Sequence, residues 1–189
     1  MEEFAFDVEK CLEVLNSGGL ILYPTDTVWG IGCDATNETA VAKIYKLKKR
    51  VETKKMIVLM SSEKEVMDYV TNIDLAVFDY LLTTTRPTTV VHEDVIGLAE
   101  NILGDDGSVG IRICRDTFCK HLIKRFQKPI VSTSANVSGV VAPCYFSEIS
   151  NEIISGVDYV VNYRLNDVNY TEPSSVIKWT GNGNVVVIR

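Results

Sequence analysis

The sequence predicts an α/β fold built on a twisted mixed β-sheet, parallel and antiparallel, flanked by helices. Helical and strand patterns alternate along the 189 residues, as in layered α/β folds. Residues 56–60 form a continuous apolar run, which is typical of a strand covered on both faces. Gly181-Asn182-Gly183 separates the last two predicted strands and is a hairpin signal, so these strands are expected to be antiparallel neighbours. The hairpin disfavours a doubly wound, all-parallel sheet.

The first elements are predicted to be a helix, a strand and a second helix. Asp7 is expected to cap the first helix, which stops at Gly18-Gly19. Residues 20–23 are expected to form a short buried strand. The second helix is expected to begin near Asn37, and its basic residues gather at the C-terminal end, where the helix dipole favours cations.

The remaining elements continue this alternation. Helices are expected at residues 63–70, 75–82 and 118–125, the last capped by Asp116. Strands are expected at residues 88–91, 108–113, 130–132, 159–162, 175–179 and 185–188. No internal repeat, low-complexity tract or linker divides the sequence, so residues 1–189 are expected to form a single domain.

Composition and charge restrict the class of protein. A hydrophobic fraction of 46% and a charged fraction of 23% are typical of a soluble globular chain. No apolar run approaches the roughly 20 residues that cross a bilayer. The acidic N-terminus is unlike a secretory signal, so a cytoplasmic location without a membrane partner is expected. The net charge of −6 argues against broad binding to a nucleic-acid backbone.

The cysteines and histidines do not indicate a metal site. The five cysteines are scattered, none forms a Cys-x-x-Cys pair, and the chain has only two histidines. The thiols, including Cys33 beside a glycine-containing motif, are expected to be reduced and mostly buried.

Residues 131–139, Val-Ser-Thr-Ser-Ala-Asn-Val-Ser-Gly, describe an apolar strand that runs into a hydroxyl-rich turn. Such a turn places backbone N–H groups and short side chains beside a ligand, which suits phosphate or carboxylate binding. Ser, Thr and Asn are also ordinary turn and capping residues. This segment by itself supports a ligand site and a capped turn equally.

A basic segment gives this acidic chain a candidate anion site. Seven lysines and arginines fall within residues 43–55, which contain a single acid, Glu52. Lys48 and Arg50 lie two residues apart where the second helix ends, so both can converge on one anion. A solvated basic face is the commoner fate of such a run.

Two further segments carry candidate ligand groups. Residues 23–35 leave a buried strand through proline, offer two threonines and Asp26, and narrow to Gly30-x-Gly32, where a ligand can approach the backbone. Asp26 by itself is expected to be a solvated turn residue. Arg112 lies in the apolar strand 108–113, on the face of Gly110, and is either exposed to solvent or buried against an anion.

Nucleophilic catalysis is not indicated. The sequence contains no Gly-x-Ser-x-Gly elbow and no P-loop, and neither His92 nor His121 lies in an activating motif. Ser132 and Ser134 are better interpreted as ligand donors. The chemistry would consist of positioning reactants and neutralising charge, as in phosphoryl or nucleotidyl transfer.

Five segments, in this order along the chain, resemble the YrdC/YciO-like family, whose active members are L-threonylcarbamoyladenylate synthases. Residues 23–35 are similar to the family's YPTDTVYGLGCDA, Lys48-Lys49-Arg50 to its Lys-x-Arg, and residues 132–139 to its STSANxSG. Residues 108–113 are similar to its TVGVRV strand and residues 173–177 to its PSTVVD segment. The similarity spans nearly the whole chain.

The resemblance implies a fold and an activity. The fold is a twisted mixed sheet with flanking helices around a deep basic cavity. The activity condenses L-threonine, bicarbonate and ATP, with Mg²⁺, to threonylcarbamoyl-AMP and pyrophosphate. The product feeds the t⁶A modification of tRNA through the tRNA threonylcarbamoyl-transferase machinery.

The resemblance also implies roles for individual residues. Lys48 and Arg50 would be the catalytic pair. ATP would be bound by Lys48, Arg50, Lys54, Ser108, Ser134, Asn136 and Arg189. Threonine would be bound by Thr27, Arg112, Ser132 and Ser175, with Arg112 as the partner of its carboxylate. No metal ligand from the protein is implied.

The sequence departs from the family pattern near the expected triphosphate site. Val51 and Lys55 replace two family prolines, Trp29 replaces a tyrosine, and residues 85–89 keep only part of a Pro-Gly-Pro-x-Thr segment. These changes concern the rigidity of a loop more than the identity of the site. Two alternatives remain: a non-catalytic module with weak tRNA or double-stranded RNA binding, and a YciO-type paralogue that binds nucleotide with weak or different activity.

Overall fold

A nine-stranded sheet forms the centre of the part of the chain that the computed structural model describes, residues 3–51, 56–167, 172–181 and 184–188. The strands are β1 Ile21–Tyr23, β2 Gly30–Gly32, β3 Ile57–Met60, β4 Thr88–His92, β5 Val109–Ile113, β6 Ile130–Ser134, β7 Tyr159–Val160, β8 Ser175–Trp179 and β9 Val185–Val187. They lie in the order β7-β1-β2-β6-β3-β5-β4-β8-β9.

The sheet is mixed, as predicted. Neighbours β1 and β7, β3 and β5, and β4 and β8 are parallel, whereas the other neighbouring pairs are antiparallel. The predicted C-terminal pair is confirmed, because β8 and β9 are antiparallel with Ile177 opposite Val187. Two residues of its predicted turn, Asn182 and Gly183, lie outside the described residues.

The helices are α1 Ala5–Asn16, α2 Glu38–Leu47, α3 Glu63–Tyr69, α4 Ala76–Thr83, α5 Thr117–Phe126 and α6 Asn151–Ser155, with 3₁₀ turns at Glu100–Ile102 and Phe146–Glu148. The predicted start at Asn37 and cap at Asp116 are confirmed. Asn37 Oδ1 accepts from the Ala40 amide at 3.1 Å, and Asp116 Oδ1 accepts from the Cys119 amide at 2.9 Å. None of the helices in the described ranges is long and apolar enough to cross a bilayer.

The prediction that Asp7 caps the first helix is wrong. The helix begins at Ala5 after Phe4, so Asp7 lies in its first turn and is buried. Its carboxylate accepts hydrogen bonds from the Tyr159 hydroxyl at 2.6 Å and from the Asn162 and Tyr163 amides at 3.0 and 2.9 Å. These tertiary donors outweigh the local capping preference that the sequence pattern expresses.

Helices cover both faces of the sheet, which explains the continuous apolar runs of its central strands. On one face α1 and α5 pack on a cluster that includes Leu59, Ile130 and Phe118. On the other face α2 and α3 pack on a cluster that includes Val58 and Val131. Successive residues of β3 and β6 therefore enter different cores, following the two-residue period of a strand.

The burial predicted for the cysteines is confirmed for four of the five. Cys11, Cys33, Cys114 and Cys119 are buried, and Cys144 is partly exposed. Burial raises the pKa of the Cys33 thiol, with the Asp34 charge acting in the same direction. Cys33 is therefore a neutral core residue at physiological pH rather than a reactive thiol.

One face of the sheet changes character beyond the area covered by α1 and α5. Here Ser132 on β6, Ile57 on β3 and Gly110 on β5 lie side by side across three strands. Arg112 follows Gly110 on the same face of β5. Ser132, Gly110 and Arg112 are short or polar where the part of this face under α1 and α5 is apolar, so the fold leaves a polar depression beside Ile57.

Strand β2 was not predicted, because two of its three residues are glycines, which are depleted in strands. Close packing explains their presence. A Cβ atom at Gly32 would lie 2.7 Å from Tyr23 Cε1 and 2.8 Å from the Val131 carbonyl oxygen. At Gly30 the nearest atom would be the Ser132 hydroxyl oxygen, at 3.1 Å. Gly32 therefore permits the sheet to form, and Gly30 leaves room beside the polar depression.

Replacing Gly32 with alanine is expected to lower the free energy of unfolding by about 2 kcal/mol, because overpacking against backbone forces the strands apart. Replacing Gly30 with alanine is the matched control, since its crowded neighbour is a hydroxyl that can rotate. Urea denaturation of both variants measures the difference. Equal stabilities for the two variants would contradict this account of β2.

Candidate functional site

A cavity of about 200 Å³ opens on the polar part of the sheet face. It is lined by β2 and the loop before it, by β3, β5 and β6, and by residues 173–174 ahead of β8. Five of the predicted site residues line it: Thr27, Arg50, Arg112, Ser132 and Ser134. With Pro173 and Ser174, the cavity brings together residues from all five sequence motifs.

Arg112 is buried, with 2% of its side chain exposed, which decides between the two alternatives that strand alternation left open. Its Nη2 lies 3.0 Å from Asp26 Oδ1 and 3.4 Å from the Thr27 hydroxyl oxygen. The expectation that Asp26 is a solvated turn residue is wrong, because only 10% of its side chain is exposed. Sequence spacing could not predict this pair, since the two residues meet only through the tertiary fold.

The guanidinium of Arg112 carries a buried donor, Nε, that is unsatisfied among the described residues. Its Nε is buried and has no hydrogen-bond partner in the described part of the protein. A buried N–H without an acceptor costs about 1–3 kcal/mol. An anionic ligand in the cavity would recover this energy, and a carboxylate fits the fork of an arginine. Arg112 is therefore suited to bind a carboxylate.

Thr27 is held by the turn that carries Asp26. The Thr27 amide donates to the Thr25 hydroxyl at 3.0 Å, and that hydroxyl donates to the Val28 carbonyl at 2.8 Å. The two threonine hydroxyl oxygens lie 3.0 Å apart. This turn fixes the Thr27 hydroxyl at the cavity wall beside Arg112.

Lys48 does not line the cavity; it lies beneath the hydroxyl-rich loop with 1% of its surface exposed. Its ammonium donates to the carbonyl oxygen of Ser134 and, at 2.5 Å, to that of Asn136. Its own carbonyl accepts from the Ser138 amide at 2.8 Å. Lys48 thus connects the end of α2 to Ser134 at the end of β6 and to Asn136 and Ser138 in the loop that follows.

Burial and the nearby charge of Arg50 lower the pKa of Lys48 to about 7. Arg50 lines the cavity and is half-buried, and burial lowers the pKa of its guanidinium as well. The two basic residues of the Lys-x-Arg motif therefore occupy different positions. Arg50 faces the cavity, and Lys48 holds the loop that carries Ser134.

Asn136 stabilises the same loop from within. Its Nδ2 donates to the carbonyl oxygens of Val140 at 2.7 Å and Val137 at 3.0 Å. Its Oδ1 is buried and finds no donor in the described part of the protein. Residues 131–139 therefore form an internally hydrogen-bonded turn whose β6 end, Ser132 to Ser134, lines the cavity, and ligand binding there stays a prediction.

Ser108 and Ser175 lie outside the cavity lining. The Ser108 hydroxyl donates to Asp106 Oδ1 at 2.6 Å in the turn before β5. Ser175 is the first residue of β8, where its amide donates to the Pro87 carbonyl at 3.0 Å. The preceding residue, Ser174, is buried and lines the cavity, and its hydroxyl oxygen lies 3.0 Å from that of Thr89. Of these two neighbouring serines, only Ser174 lines the cavity.

Two predicted ATP ligands, Lys54 and Arg189, lie outside the described residues. Within the described ranges, no group of three or more His, Cys, Asp or Glu side chains could hold a metal ion. The histidines lie elsewhere: His121 packs edge-on against Phe4, and His92 ends β4. The cavity thus offers two guanidinium groups and several hydroxyls, which suit a small polar anion.

Comparison with known proteins is consistent with this fold. The model of a family described as Sua5/YciO/YrdC, telomere recombination, matches residues 13–189. A putative threonylcarbamoyl-AMP synthase of Methanocaldococcus jannaschii is 33% identical over 168 residues, covering 88% of this chain and 76% of the relative. A threonylcarbamoyl-AMP synthase of Hahella chejuensis is 31% identical over 173 residues, covering 91% and 93%.

Solved structures share the fold. The P. abyssi Sua5 structure complexed with L-threonine superposes with a TM-score of 0.84 at 22% identity, covering 97% of this chain. E. coli YciO superposes with a TM-score of 0.82 at 20% identity, covering 97% of this chain and 88% of that one. The chain spans little more than half of the P. abyssi protein, 54% of that structure.

These observations define first a class, an α/β protein with a mixed sheet and a cavity on one face that is lined by two arginines and several hydroxyls. The family match over residues 13–189 then makes the assignment specific. The chain belongs to the Sua5/YciO/YrdC family.

Proposed function

We propose that this protein is an L-threonylcarbamoyladenylate synthase, a nucleotidyltransferase that condenses L-threonine, bicarbonate and ATP to threonylcarbamoyl-AMP and pyrophosphate. One observation carries the proposal: a buried arginine with an unsatisfied Nε lies in the same cavity as Arg50 and the Ser132–Ser134 strand end. The cavity thus offers separate groups for a carboxylate and for a phosphate. The names of the curated relatives support the same activity.

The threonine end of the cavity is proposed to lie at Arg112. Its Nε–H would donate to the carboxylate, while the ion pair with Asp26 holds Nη2 and thereby fixes the guanidinium plane. The hydroxyls of Thr27 and Ser132 would hydrogen-bond the polar groups of the amino acid. We assign to Ser174, which lines the cavity, the role that the family pattern implied for Ser175.

The nucleotide end is proposed to lie at Arg50 and Ser134. Arg50 would pair with phosphate oxygens through its planar fork, and the Ser134 hydroxyl would add a hydrogen bond. Lys48 and Asn136 would act through the loop, whose shape they hold. Lys54, Ser108 and Arg189 remain proposed ATP ligands.

The proposed reaction has two steps. The amine nitrogen of threonine attacks the carbon of bicarbonate, and loss of water leaves a carbamate. A carbamate oxygen then attacks the α-phosphorus of ATP, and the bond to the β-phosphate oxygen breaks to release pyrophosphate. The residues of this chain contribute by placing the two reactants in contact and by stabilising charge that moves onto pyrophosphate.

Among the described residues, no group of three or more His, Cys, Asp or Glu side chains could hold Mg²⁺, and the Asp26 carboxylate is paired with Arg112. We propose that any Mg²⁺ arrives bound to the triphosphate oxygens, where it would neutralise their charge. We further propose that the product is consumed by the tRNA threonylcarbamoyl-transferase machinery.

The test is pyrophosphate release from ATP in the presence of L-threonine and bicarbonate. We expect release that requires all three substrates, with labelled bicarbonate carbon recovered in an adenylate. ATP binding without such turnover would favour the weakly active paralogue instead. Salt-dependent tRNA binding that ATP does not displace would favour the RNA-binding module.

A further inference from the structure

Arg164 adopts a backbone conformation that is unusual for its residue type. It lies in the loop after β7 with φ of +68°, in the left-handed region that favours glycine. A side chain is retained in such a position when its surroundings hold it there. The contacts of the guanidinium indicate what those surroundings are.

The guanidinium of Arg164 joins three segments. Its Nε donates to Asp167 Oδ2 at 2.6 Å within its own loop. Its Nη1 donates to Asp116 Oδ2 at 3.0 Å and approaches the Thr25 carbonyl oxygen at 3.4 Å. Asp116 uses its other oxygen to cap α5, so Arg164 is tied to the start of that helix.

Two successive carbonyls just before the cavity-lining residue Thr27 are therefore held by neighbouring elements. The Pro24 carbonyl accepts from the Cys119 thiol on α5 at 3.3 Å, and the Thr25 carbonyl is approached by Arg164. The next two residues, Asp26 and Thr27, contact Arg112 on the cavity side. Residues 24–27 are thus contacted by two arginines, Arg164 at Thr25 and Arg112 at Asp26 and Thr27.

We propose that Arg164 is a positioning residue for the amino-acid end of the cavity. It holds the segment 24–27 against α5, so that Asp26 and Thr27 meet Arg112 in the geometry that receives a carboxylate. Arg164 itself touches no substrate. This inference rests on the proposed function, because it places the amino-acid substrate at Arg112.

The Arg164→Gly variant tests the proposal, because glycine adopts the left-handed backbone conformation readily while it removes the side chain that carries the guanidinium. We expect KM for L-threonine to rise about tenfold, with kcat at saturating threonine and KM for ATP near the wild-type values. The Arg125→Ala variant is the control, since Arg125 on α5 pairs with Glu9 at the surface and not with residues 24–27. The Asp116→Asn variant, which keeps a capping side chain, is expected to show part of the same rise.

Amide hydrogen exchange separates this proposal from the proposed function. Faster exchange at the Thr27 amide in Arg164→Gly, with the rest of the sheet unchanged, supports the positioning role even if the wild-type protein fails to turn over threonine. An unchanged Thr27 amide together with an unchanged KM for threonine would overturn it. Equal rises in both KM values with a lower melting temperature would also overturn it, because they indicate a general structural role.

Discussion

Replacing Arg112 with lysine is expected to lower kcat/KM for L-threonine by about a hundredfold or more and to leave ATP binding near the wild-type value. Lysine keeps the positive charge that Asp26 needs, so the buried carboxylate is not left without a counter-charge. It lacks the Nε donor and the planar fork that would bind the substrate carboxylate. Steady-state kinetics with threonine varied, and calorimetric titration with ATP, measure the two effects.

The matched control is Arg125→Lys, which makes the same change at a surface ion pair with Glu9. It is expected to behave as wild type. If Arg112→Lys melts well below the wild-type temperature, Asp26→Asn gives a second test, because it leaves Arg112 in place and removes the group that orients it. A KM for threonine that stays at the wild-type value in both variants would contradict the assignment of Arg112.

Replacing Lys48 with methionine is expected to lower threonine-dependent turnover by about a hundredfold or more, although Lys48 does not line the cavity. Methionine has a similar length but donates no hydrogen bond, so the carbonyls of Ser134 and Asn136 lose their shared donor. The loop that carries Ser134 then loses its fixed shape. Pyrophosphate release measures turnover, and ATP titration measures the loss at the nucleotide end.

The same variant is expected to change how stability depends on pH. The pKa of Lys48 is lowered to about 7 in the fold, chiefly by burial, whereas the pKa of a lysine in an unfolded chain is about 10.4. Between these values the unfolded chain binds more protons, so the contribution of Lys48 makes the protein more stable as pH rises from about 7 to about 10. Below about pH 7 Lys48 is charged in the folded protein, so the full free-energy cost of burying that charge lowers the stability. Urea denaturation at several pH values should show this slope reduced in Lys48→Met.

Lys10→Met is the control for both measurements, because Lys10 pairs with Glu13 at the surface of α1. It should retain activity and the wild-type pH slope. Full turnover in Lys48→Met would show that the loop keeps its shape without the ammonium, and would contradict the role given to Lys48.

Local chemistry made much of the fold predictable. Asn37 and Asp116 were identified as helix starts because a cap acts on amides two or three residues away. The apolar run at β3 and the antiparallel C-terminal pair followed from equally local patterns. The helix cap predicted at Asp7 was wrong because the carboxylate oxygens of Asp7 accept hydrogen bonds from Tyr159 and Tyr163, far along the chain. Strand β2 was missed because its glycines are explained only by the strands packed beside them.

The site was predictable as a set of motifs but not as a geometry. Hydroxyls and basic residues in ordered segments pointed to an anion site, and five of the predicted residues line one cavity. Which of two neighbouring groups faces that cavity depends on the tertiary fold. Arg50 lines it and Lys48 does not, and Ser174 lines it where Ser175 was expected. Arg112 is buried against Asp26, which is distant in the sequence, so its burial could not be predicted from its own strand. No sequence motif predicted the contact of Arg164 with Thr25.

The central claim is that Arg112 receives the carboxylate of L-threonine in a cavity shared with ATP. A crystal structure of this protein with L-threonine tests it most directly. We expect a carboxylate oxygen within hydrogen-bond distance of Arg112 Nε, with the amino-acid amine directed toward the Arg50 side of the cavity. Threonine bound with its carboxylate on Arg50, or bound away from Arg112 altogether, would contradict the claim.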